Sequence, residues 1–85
     1  MHATPPPSFL LIVQLHQLQA MLSLGVIPNP TTGQPNPVDH HRARHELALL
    51  EILREKTNGN LDDEEETLLV EVIHSLRTAL GESDD

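Results

Sequence analysis

The 85-residue sequence has no cysteine, no tryptophan, no tyrosine and a single phenylalanine, Phe9. Without cysteine, disulfides and thiolate metal sites are excluded. Without aromatic bulk, a core has to be assembled from Leu, Ile and Val. Basic residues are scarce, 5 against 13 acidic ones, for a formal charge of −8. Nucleic-acid affinity rests mainly on Lys and Arg contacts to phosphate, so direct nucleic-acid binding is not expected. Long hydrophobic runs are missing too: the longest, Phe9 to Val13, is far too short to span a bilayer. No Lys or Arg precedes it, as a signal peptide would require. A soluble, cytoplasmic protein without a membrane partner is the expectation.

A chain of this length holds one domain, at a size where a single core is marginal. With disulfides excluded, stability has to come from well-packed helices, a partner or a histidine-bound metal. Residues 1–7 (MHATPPP) read as a disordered leader because three consecutive prolines cannot continue regular structure, and 82–85 as an acidic solvated tail. Between them a single helical domain is expected over 8–81.

Punctuation divides that domain into three helices, at about 8–24, 39–57 and 62–80. Ser8 is a good N-cap for the first, and Gly25 supplies a left-handed C-terminal position. FLLIV alone would suit a strand, but no second strand-like run exists to pair with it. The loop 25–38 carries four prolines and is long for a bundle connection. Asp39 caps the second helix, and Asn58-Gly59-Asn60 stops it with Gly59 as the left-handed residue. Asp62 and Glu65 form a capping-box pattern for the third, while Asp63 and Glu64 complement its dipole. Leu69, Val72, Ile73, Leu76 and Leu80 line one face of that helix; Ala43, Leu47, Leu50 and Leu53, with Leu49 beside them, line the second. The fold class is therefore all-α: an antiparallel αα-hairpin of helices two and three, packed on an uncharged first helix.

The loops and hairpin resemble a bacterial family of short helical proteins catalogued as domain of unknown function 1844. The resemblance rests on Leu24-Gly25, Ile27-Pro28-Asn29-Pro30 and Gly33, on Ala43-Arg44-His45, and most specifically on Glu55-Lys56-Thr57-Asn58-Gly59-Asn60-Leu61. Glu64-Glu65, Leu68-Leu69 and Leu76-Arg77 continue it, so it covers most of 8–80. Ala48 departs from it, standing where the family pattern carries an acid. The resemblance implies an architecture and no activity, cofactor or substrate.

Candidate chemistry is sparse. His41 and His45 are four apart on one helix face and are the only weak candidates for a divalent metal. Arg42 and Arg44 flank them and repel cations, and a site needs three or four ligands. Solvated histidines are the simpler reading, so no metal and no cofactor is expected. The acidic run 62–66 fails a calcium-loop test, because Asp63 and Leu69 stand where glycine and glutamate are required. Lys56-Thr57-Asn58-Gly59 has neither the spacing nor the strand of a phosphate loop. No serine has a partnered His and Asp at useful spacing, so an enzyme is not expected. Glu46 is the odd residue on the apolar side of helix two, and an i,i+4 pair with Arg42 at the core's edge accounts for it.

Helix one is what remains to explain. From Met1 to Val38 there is no Asp, Glu, Lys or Arg. Leu11, Leu15, Leu18 and Leu22 have the spacing to cover the hairpin. A second stripe lies nearly opposite: Phe9, Val13, Ala20 and Leu24, interrupted by His16 and Gln17. A helix apolar on two sides is expected to be buried twice, so this second stripe is the expected homodimer interface. The functional expectation is a non-enzymatic helical interaction module that self-associates; a further protein partner would use the acidic side of helix three or the loop 27–33, which reads first as a cover over the open end of the helical core. The alternatives are a regulator acting through a nucleic-acid-binding partner protein and a metal-responsive protein using His41 and His45.

Overall fold

A computed structural model describes residues 7–35 and 37–81. The expected leader, apart from Pro7, and the expected tail lie outside the described residues. The three helices are α1 (Phe9–Ser23), α2 (His40–Lys56) and α3 (Asp63–Ala79), and each packs against the other two. Among the described residues there is no strand, only an isolated bridge between Pro28 and Pro35.

The helix starts follow from the three caps. The Ser8 hydroxyl accepts the Leu11 N–H at 3.1 Å, and Asp39 Oδ1 accepts that of Arg42 at 3.0 Å. At α3 the capping box is complete: Glu65 N–H donates to Asp62 Oδ1 at 2.8 Å, and Asp62 N–H donates to Glu65 Oε1 at 2.9 Å. Two donors that a helix start would leave unmatched are thereby satisfied.

α1 ends in a Schellman turn, with Val26 N–H on the Met21 carbonyl and Gly25 N–H on that of Leu22. The turn requires positive φ at Gly25, where it is 71°. The proline-rich loop is ordered by its own polar groups. Asn29 exchanges backbone hydrogen bonds with Gln34 and Gly33, and its side chain accepts the Thr31 N–H at 2.8 Å. Asp39 N–H then reaches back to the Ser23 carbonyl at 2.7 Å, tying the start of α2 to the end of α1.

Between α2 and α3 the chain turns through Asn58, Gly59 and Asn60, with Gly59 at φ 85°. A Cβ there would meet open space, so a substitution is penalised by backbone conformation alone. Gly59→Val is expected to destabilise the protein by about 1 kcal/mol or more, because a β-branched residue is disfavoured at that φ. A denaturation curve overlaying the parent's would contradict this assignment.

The core is aliphatic. Leu47 and Leu50 from α2 meet Leu69, Val72, Ile73 and Leu76 from α3, and α1 adds Val13 and Ala20. Phe9, Leu24, Leu53, Leu61, Leu68 and Leu80 pack around this centre, half-buried. The stripes expected on α2 and α3 are thus the ones that face inward.

On α1 the expectation is reversed. Phe9, Val13, Ala20 and Leu24, assigned above to a dimer interface, close the core of the monomer, with Val13 and Ala20 wholly buried. His16 and Gln17 are half-buried beside them. Leu11, Leu15, Leu18 and Leu22, assigned to the core, lie on the other side, where Leu15 is 52% and Leu18 46% exposed. Small Ala20 allows α1 to sit close to its neighbours.

Candidate functional site: the two faces of α1

Among the described residues, Glu46 is the one charged side chain in the core, 3% exposed. It projects from α2 between residues of the apolar stripe, so its carboxylate has little access to water. His16 on α1 answers it: Nδ1 lies 2.7 Å from Glu46 Oε2. Arg42, one turn back on α2, donates from Nε to Oε1 at 3.4 Å. The Arg42 guanidinium also donates to Gln19 Oε1 on α1 at 3.4 Å. The pairing of Glu46 with Arg42 is legible from their four-residue spacing, whereas His16 lies 30 residues away in sequence.

Both sides of α1 carry large apolar residues. Ile12, Leu15 and Leu18 are each about half exposed, and full burial of such a side chain stabilises by about 1.5–3 kcal/mol. Rolling α1 over would gain part of that and would lose the burial of Phe9, Val13, Ala20 and Leu24. Leaving a buried acceptor without its close partner costs about 1–3 kcal/mol, and only one side of α1 carries His16. The close contact is with His16; Arg42 is longer and its side chain is half exposed.

The consequence is an outward face without charge. Ile12 (45% exposed), Leu15 and Leu18 recur every three residues along it, flanked by half-buried Leu11 and Leu22. On a lone surface helix this side should be polar. Ile52 on α2 and Val26 and Val38 in and beside the loop add further exposed apolar surface.

The other singled-out residues fall into simpler roles. His41 and His45 are both exposed on α2. No group of three or more His, Asp or Glu able to hold a metal occurs among the described residues. Gly25, Gly59, Asp62 and Glu65 occupy the turn and cap positions described above. No helix among the described residues is long and apolar enough to cross a membrane.

A family model described as "Domain of unknown function (DUF1844)" matches residues 6–82, nearly the whole chain. No curated protein and no solved structure matches it.

Proposed function

The chain belongs to the DUF1844 family, and on that premise we propose that it is a non-enzymatic helical interaction module that self-associates through the outward face of α1. The observation that carries this is the exposed, uncharged row Ile12, Leu15 and Leu18. The occupant that fits it is a second copy of the chain. All 13 acidic and 5 basic residues lie from Asp39 onward. Elsewhere two copies, each with a net charge of −8, would oppose like charges. At α1 they meet through a surface with none, and a twofold contact between identical helix faces is self-complementary. The same charge disfavours direct contact with nucleic acid, and a cytoplasmic setting fits a chain without cysteine.

In this reading α2 and α3 form an antiparallel hairpin that serves as a rigid platform for α1. The short Gly59 turn and the ion pair between Arg77 of α3 and Glu51 of α2 support it. Thermal unfolding at varied protein concentration tests the proposal. Coupling of folding to association makes Tm rise with concentration. Over a hundredfold range the parent is expected to show that rise, and Leu15→Glu, which places a charge in the row, is expected to lose it. A parent Tm independent of concentration would count against self-association.

A further inference from the structure

We infer that the Glu46–His16 contact selects which face of α1 is buried, and so decides which face the protein presents. Periodic hydrophobicity leaves the orientation of this helix open, because it has two apolar sides and no charge. Polar residues on α1 are few: Gln14, His16, Gln17 and Gln19, with Ser23 at its end. Of these, His16 alone meets the buried carboxylate, at 2.7 Å, across the α1–α2 seam. Gln19 reaches only the half-exposed Arg42, at 3.4 Å, and helps to hold that guanidinium beside Glu46. Among the described residues no buried side-chain nitrogen or oxygen lacks a partner, so this small network is complete as it stands. Turning α1 over would leave the network without its α1 members. Glu46 is therefore a positioning residue. The energy of the core comes from Leu, Ile and Val, and the pair supplies the orientation that these leave undetermined.

This inference concerns a single copy of the chain and holds whether or not the protein self-associates. It also accounts for a buried acid where a leucine would satisfy hydrophobic packing.

The test replaces both partners, His16→Leu with Glu46→Leu, and follows methyl contacts by nuclear magnetic resonance. In the parent one set of signals is expected, with Val13 methyls against the core methyls of Leu50 and Ile73. In the double variant the reversed orientation should rise to about one-tenth of the molecules or more, where a second set is resolved. That second set should connect Leu15 or Leu18 to Leu50 and Ile73. Contacts between outer faces of two copies would not produce these signals, so dimerisation does not confuse the readout. Glu46→Gln keeps an acceptor opposite His16 and should retain the single parent set. A single parent-like set in the double variant overturns the inference, because packing alone would then orient α1. Loss of helical structure in the double variant also overturns it, since a selector is not required for folding. So does a second orientation in Glu46→Gln.

Discussion

Val13→Glu is expected to abolish the folded state. Val13 is wholly buried within the aliphatic core that α1 shares with the other two helices. Glu46, the one buried acid among the described residues, already uses His16 and Arg42. The substitution removes an apolar contribution of about 1.5–3 kcal/mol. It also imposes several kcal/mol for an unpaired buried charge. Total stability for a domain of this length is about 4–13 kcal/mol, from the usual per-residue range. The losses are of the same size. Far-UV circular dichroism should show the helical signal gone at 25 °C, or a melt displaced far below the parent's. Leu15→Glu, two residues along the same helix, is expected to keep the helical signal because its side chain is half exposed on the single chain and a charge there can reach water. If Leu15→Glu unfolds and Val13→Glu does not, the inward face of α1 has been assigned the wrong way round.

The second large effect is expected at Leu50. It is fully buried and among the largest side chains so enclosed, on the helix that packs against both others. Leu50→Ala leaves a cavity at the centre of the core, among Leu, Ile and Val side chains. Such truncations cost about 2–5 kcal/mol. In a domain of this size that corresponds to a fall in Tm of at least about 8 °C. Ile52, two residues later, is 53% exposed, and Ile52→Ala should lie within about 0.5 kcal/mol of the parent. Equal losses at the two positions would contradict the placement of α2.

Much of the fold is legible in the sequence, and for local reasons. Ser8, Asp39 and Asp62 each sit where a helix begins, because their oxygens serve the first free N–H groups. Gly25 and Gly59 sit where the chain needs positive φ. The inward faces of α2 and α3 are legible because their opposite faces carry charge, so periodicity has a contrast to work with. α1 offers no such contrast. Its two apolar sides give the same answer to a hydrophobicity argument, which is why the face expected against a partner proved to be the core.

One signal in the sequence does bear on the choice. Glu46 lies within the apolar stripe of α2, among Leu47, Leu49 and Leu50, and a buried carboxylate needs a partner from the helix it faces. The only ionisable side chain on α1 is His16. Pairing the two places Val13 and Ala20 inward and Leu15 and Leu18 outward. The proline-rich loop was harder to read. Its order comes from the Asn29 turn, which uses both the side chain and the backbone of Asn29, and from the Asp39-to-Ser23 hydrogen bond, contacts that composition does not reveal.

The same arrangement gives the outward face its meaning. A helix docked by a polar contact on one side is left with an uncharged row on the other, on a chain whose remaining surface is strongly acidic. Light scattering of the parent at tens of micromolar, run beside Leu15→Glu, measures the mass that this arrangement implies. The account predicts twice 9.4 kDa for the parent and 9.4 kDa for a folded Leu15→Glu. A parent mass of 9.4 kDa at that concentration, or a dimer untouched by Leu15→Glu, would contradict it.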